Sequence, residues 1–178
     1  MIIIGYQGIG KSTLANAETK CIDLESGNFW VDGKRADDWY KPYCQIANHL
    51  SEQGYTVFVS SHEVVRKELE NSNENVCIIY PSVRLKNAWI YKLAKRYAMS
   101  QLDKDRKAYL NAQERYEENI KELESSPFLA FEIEDTNYSL QEIINNLNTW
   151  VNEVEMELRK WLFLLVNLHL VNPVSKET

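Results

Sequence analysis

The segment Ile2-Ile3-Ile4-Gly5-Tyr6-Gln7-Gly8-Ile9-Gly10-Lys11-Ser12-Thr13 opens the chain and decides its reading. Three β-branched apolar residues in a row predict a buried strand. Glycines at 5, 8 and 10 allow backbone conformations and close approaches that a Cβ blocks. Lys11-Ser12-Thr13-Leu14-Ala15 then reads as the start of a helix. Residues 5–12 match GxxxxGK[ST] in the strand–loop–helix context that gives this spacing its meaning. The backbone N–H groups of such a loop line a concavity for phosphate oxygens, and the helix start adds its dipole. Gly5, Gln7, Gly8, Ile9, Gly10, Lys11, Ser12 and Thr13 are therefore the expected nucleotide-binding residues. Lys11 is expected on the β- and γ-phosphates, and the Ser12 hydroxyl as a ligand of Mg²⁺. ATP and Mg²⁺ are the expected cofactors.

Outward from this loop, β-rich runs alternate with helical patterns. Residues 21–24, 55–59, 76–80 and 128–133 read as further strands. Helices are expected at 11–19, 36–53, 63–70, about 83–99, about 102–124 and from Ser139 onward. Nearly continuous apolar strands separated by helices predict a parallel sheet covered on both faces. The expectation is a single α/β domain over 1–178: three α/β/α layers around a five-stranded parallel sheet, order 2-3-1-4-5.

A chain of 178 residues with 44% hydrophobic content suits one domain with a sizeable core. The net charge of −6 advertises no surface for a nucleic-acid polymer. Cys21, Cys44 and Cys77 form no CxxC pair and read as reduced thiols of a cytoplasmic protein. Residues 161–171 are apolar but fall short of the roughly 20 residues a membrane span needs. No charged segment precedes the first apolar run, so neither a leader nor a membrane partner is expected.

Residues 83–124 read as a helical hairpin rising from the sheet. Leu85, Trp89, Leu93 and Tyr97 mark its first helix; Leu102, Tyr109, Tyr116 and Leu123, seven residues apart, mark its second. The hairpin is either a solvated structural element or a mobile lid. The C-terminal helix, 139–171, opens with Ser139-Leu140-Gln141-Glu142, a capping box. Apolar residues at 140, 144, 147, 151, 154, 158, 161, 165 and 168 follow in a heptad seam. Trp161, Phe163, Leu164 and Leu165 add apolar groups on more than one side. A homodimer through this helix is expected; the alternative is that its end folds back on the domain.

The loop at 5–13, the chain size and the hairpin together resemble the P-loop kinases of small molecules, in particular nucleoside monophosphate kinases and shikimate-type kinases. The DxxG and NKxD motifs of GTPase switches are missing, as is the acidic strand end of the motor ATPases. The resemblance implies ATP-dependent phosphoryl transfer to a small acceptor, foremost a nucleoside or deoxynucleoside monophosphate. A non-nucleotide metabolite kinase and a nucleotide sensor with little turnover are the alternatives.

Ligands of open parallel sheets bind outside the carboxyl ends of the strands. Asp23 and Glu25 stand at such an end and are similar to the DxD of shikimate-type kinases; Asp23 is expected to hold the acceptor or the metal. A strand-end cap is the alternative. Arg35 and Trp39 fall in the segment that binds the acceptor in monophosphate kinases; for Trp39 and Tyr43, at i and i+4, aromatic core under a helix is the preferred reading. After the third strand the resemblance implies a carboxylate, yet Ser60 and Ser61 stand there. Arg66 is a candidate for the acceptor phosphate, or else forms a surface salt bridge. In the hairpin, Arg84, Arg96 and Arg106 are candidates for neutralising charge in transfer, with Arg96 taken as catalytic beside Lys11 and Asp23. Asp135-Thr136-Asn137 falls where the resemblance places the donor adenine.

Overall fold

A computed structural model describes residues 1–31, 34–72 and 74–171. Five parallel strands form the sheet: β1 (Ile2–Gly5), β2 (Cys21–Asp23), β5 (Thr56–Val59), β6 (Val76–Pro81) and β7 (Leu129–Ile133). Two further short strands, β3 (Trp30–Val31) and β4 (Lys34–Arg35), make a separate antiparallel ribbon that the sequence did not suggest. The sheet order is β2-β5-β1-β6-β7. The ribbon shifts the numbering; along the five sheet strands alone the order is the expected 2-3-1-4-5.

Ile2, Ile3 and Ile4 are fully buried, as are Val57, Phe58, Val59, Ile78 and Ile79. Consecutive residues of a strand point to opposite faces. Burial of all three in a row therefore means that both faces are covered, which is why these strands read as unbroken apolar runs. Ile3 pairs with Phe58 on one side and Cys77 on the other. Burial pushes the thiols of Cys44 and Cys77 up to about 12, so both stay protonated and inert.

Between the strands run α1 (Lys11–Ala17), α2 (Tyr40–Glu52), α3 (Glu63–Leu69), α4 (Lys86–Ser100) and α5 (Asp103–Glu124). Helix α2 packs on α3, and α4 on α5. Helix α2 starts at Tyr40 rather than near Ala36. Pro42 is the reason: in the first turn its missing N–H costs nothing, whereas deeper inside a helix it would break a hydrogen bond and clash.

The face of α5 also differs from expectation. Tyr116 and Leu123 are buried as expected, but Leu102 is 51% exposed and Tyr109 only half-buried. Asp105, Ala108 and Ala112 occupy the inner face instead. Small alanines let the two helices approach closely while adding little to an apolar pattern. The helix leaves its regular path at Arg115 (φ −129°, ψ 22°).

Residues 1–138 form one compact unit, and a second begins at Ser139. In the second, α6 (Leu140–Val171) begins at the expected cap: the Glu142 N–H donates to Ser139 Oγ at 3.3 Å. Its seam is buried at Leu140, Ile144 and Leu147, then exposed at Val154, Leu158 and Trp161. Phe163 is exposed too, while the side chains of Leu164, Leu165 and Leu168 lie outside the described residues. Among the described residues no helix is long and apolar enough to cross a membrane.

Candidate nucleotide site

Strand β1 ends at Gly5, and the chain turns through residues 6–10 into α1. Gly8 (φ 87°) and Gly10 (φ 101°) both take the left-handed region that favours glycine. A Cβ on Gly5 would lie 2.6 Å from Ile9 Cδ1 and 2.7 Å from Lys11 Cδ, inside the loop itself. The loop's carbonyls are held by protein donors. Lys11 Nζ donates to Gly5 O at 2.7 Å and Tyr6 O at 3.3 Å; Trp89 Nε1 donates to Gln7 O at 2.9 Å; Tyr138 Oη donates to Ile9 O at 2.7 Å. Burial lowers the pKa of Lys11; Asp23 and Glu25 counter that effect, and Arg96 adds to it.

A Cβ on Gly8 would meet Leu93 Cδ2 at 3.0 Å and Trp89 Nε1 at 3.1 Å, on top of its positive φ. Gly8→Ala is therefore expected to cost about 1–2 kcal/mol and to lower the melting temperature by about 5 °C. Thermal unfolding followed by circular dichroism measures this, and an unchanged transition would show that the loop relaxes freely.

Strand β2 lies two positions from β1 in the sheet, yet α1 packs on β2. That crossing brings Ser12 to Asp23: Ser12 Oγ donates to Asp23 Oδ2 at 2.5 Å. Glu25 accepts from Lys104 Nζ at 2.8 Å, which ties the β2 end to the start of α5. Arg96 on α4 pairs with Asp105 at 2.9 Å. Asp23, Glu25 and Arg96 all act electrostatically on Lys11, and Ser12 joins them through its bond to Asp23.

The other candidates have protein partners of their own. The side chain of Gln7 turns to α5, donating to Ala108 O at 2.9 Å and Asn111 Oδ1 at 3.3 Å, which leaves only its backbone for a phosphate. Arg35 stacks on Trp39, 3.9 Å from the ring centroid, and donates to Ser26 O at 2.6 Å. Trp39 packs with Phe29, Tyr43 and His62 as the core of that region. Tyr43 Oη bridges two strand ends, donating to Leu24 O at 2.7 Å and accepting the Ser60 N–H at 2.8 Å. Burial first, then Arg35 and Arg66, lower the pKa of His62. Arg66 is 8% exposed, donates to Ser61 O at 2.6 Å and pairs with Glu122 at 3.4 Å. The ion pair of the alternative reading is present, but on a buried guanidinium rather than at the surface.

A family model described as ABC transporter matches residues 1–139. The chain belongs to the ABC transporter family. No curated protein matches it. Membership of the ABC transporter family makes this a P-loop NTPase domain that binds ATP, in line with the loop at residues 5–13. It does not single out the small-molecule kinases that the layout resembles; what both share is the phosphate loop on a parallel sheet.

Sequence reasoning missed Tyr138 and the second role of Trp89. Their rings stack at 6.0 Å with 20° between planes, and Lys92 Nζ sits 4.4 Å from the Trp89 centroid. In sequence, Trp89 shows only as an apolar helix position. Tyr138 stands between the Asp135–Asn137 turn and the α6 cap, with no pattern to mark it.

Proposed function

We propose that this chain transfers the γ-phosphoryl group of ATP to a small acceptor bound beside Asp23, with nucleoside or deoxynucleoside monophosphates as the acceptor class. The contact between Ser12 Oγ and the Asp23 carboxylate carries the reading. It supplies a hydroxyl and a carboxylate at the loop, a donor set that suits Mg²⁺, which takes one or two protein oxygens and completes its shell with phosphate and water. Ser12 and Asp23 would hold the ion, which would neutralise charge on the phosphate oxygens. The sheet order supports the same layout, because β5 beside β1 brings its end at Ser60 next to the loop.

In this reading Lys11 releases its two carbonyl partners to pair with phosphate oxygens. Asp23 and Glu25 orient the acceptor, and Arg96 neutralises charge on the transferred group. An acceptor phosphate oxygen attacks the γ-phosphorus as the bond to the β–γ bridging oxygen breaks. The products are ADP and a nucleoside diphosphate, with no proton to dispose of when the acceptor phosphate is a dianion. Positioning and electrostatics, not a covalent intermediate, supply the rate.

A second reading is ATP hydrolysis or sensing without an acceptor. Ser60 and Ser61 favour it, since no carboxylate stands at the β5 end, and so does the family match. The test is incubation with Mg²⁺-ATP and a panel of nucleoside monophosphates and small alcohols, separating products by chromatography. ADP with a matching diphosphate is expected. ADP with inorganic phosphate at a rate indifferent to acceptor would establish hydrolysis, and binding with no ADP would establish sensing.

A further inference from the structure

We propose that Asp105 is a positioning residue that fixes Arg96 for contact with nucleotide phosphate. The proposal rests on the loop as a phosphate site and not on the identity of the acceptor.

Trp89, Lys92 and Arg96 stand at i, i+3 and i+7 of α4, which places them along one face. The Trp89 bond to Gln7 O holds that face against the loop. Arg96 therefore leaves α4 two turns farther along the face that grips the phosphate loop. It acts electrostatically on both Lys92 and Lys11, making each easier to deprotonate. Three cations gathered in this way repel one another, and a polyphosphate turns the repulsion into attraction.

Asp105 is what holds the guanidinium there. It is 6% exposed, and a buried carboxylate is costly unless its oxygens are satisfied. Oδ1 takes Arg96 Nη2 at 2.9 Å, and Oδ2 takes the Ser100 hydroxyl at 2.6 Å. Ser100 Oγ itself accepts the Leu102 N–H at 3.2 Å across the turn between the helices. With one oxygen fixed to the turn, the other has a fixed direction. Arginine carries five N–H donors, and this ion pair engages only Nη2 of a side chain that is 42% exposed. One turn beyond Asp105, Ala108 O accepts from Gln7 Nε2, so the same stretch of α5 holds both the loop and the guanidinium.

The rival explanation is that Asp105 merely locks the helix turn. A double-mutant cycle on the full chain separates the two, with Arg96→Ala, Asp105→Asn and the double variant. Affinity for a non-hydrolysable ATP analogue is read by calorimetry, kcat from ADP formation and folding from the melting temperature. Each single variant is expected to lose about tenfold in analogue affinity or in kcat. The double variant should be no worse than Arg96→Ala alone, since Asp105 acts through that side chain. Losses that multiply in the double variant, or an unaltered Asp105→Asn protein, would overturn the proposal. If Asp105→Asn does not fold, Asp105→Glu runs through the same cycle: it keeps the charge and displaces the guanidinium, so an intermediate, coupled loss is expected. Lys11→Ala is the control. If it binds the analogue normally, the loop reading itself fails; if it loses the analogue while the cycle is additive, only the role of Asp105 falls.

Discussion

Lys11→Ala is expected to abolish measurable ATP binding while the fold remains. The Lys11 ammonium sits on Gly5 O and Tyr6 O, at the mouth of a loop whose other carbonyls are held by Trp89 and Tyr138. Burial already weighs against its charge there, which an anionic phosphate would offset. Removing one partner of a buried charged pair costs about 2–5 kcal/mol, or about 30- to 4,000-fold in affinity. The fold depends instead on Ile2 to Ile4 and the strands beside them, which the substitution does not touch. Calorimetry with ATP and the far-ultraviolet circular dichroism spectrum check the two halves. Unchanged affinity would end the phosphate-loop reading.

Asp23→Asn is expected to lower kcat about 10- to 100-fold, with a smaller change in ATP affinity. Asparagine keeps the shape and can still accept from Ser12 Oγ, so packing at the β2 end is preserved. What disappears is the negative charge beside Ser12, Lys11 and Lys104. A group whose charge matters most in the transition state shows its loss in kcat. Initial rates across a Mg²⁺ titration give a second readout, because the Mg²⁺ concentration for half-maximal rate should rise. Wild-type turnover with an unaltered Mg²⁺ dependence would return Asp23 to the role of a strand-end cap.

The C-terminal helix shows where pattern and burial part. Its 4-3 seam is uniform in sequence from Leu140 onward, yet burial stops after Leu147, and Trp161 is 63% exposed. Periodicity reports which residues share a face. It does not report which of them are buried.

The phosphate loop and the five sheet strands were legible in the chain itself. These are contiguous features: the loop geometry follows from neighbouring residues, and strands buried on both faces must be apolar at every position. The start of α2 is also written locally, in Pro42, which the helical spacing over 36–53 does not show. The tertiary structure alone decided the meeting of Ser12 with Asp23, which depends on α1 crossing to a strand two positions away. It decided that Arg66 belongs to Glu122, that Gln7 belongs to α5, and that Asp105 rather than Leu102 faces inward. The physical reason is common to all of these. A charged or polar side chain carries no periodic signal of its burial, and its partner is set by which helix packs beside it, not by its neighbours along the chain.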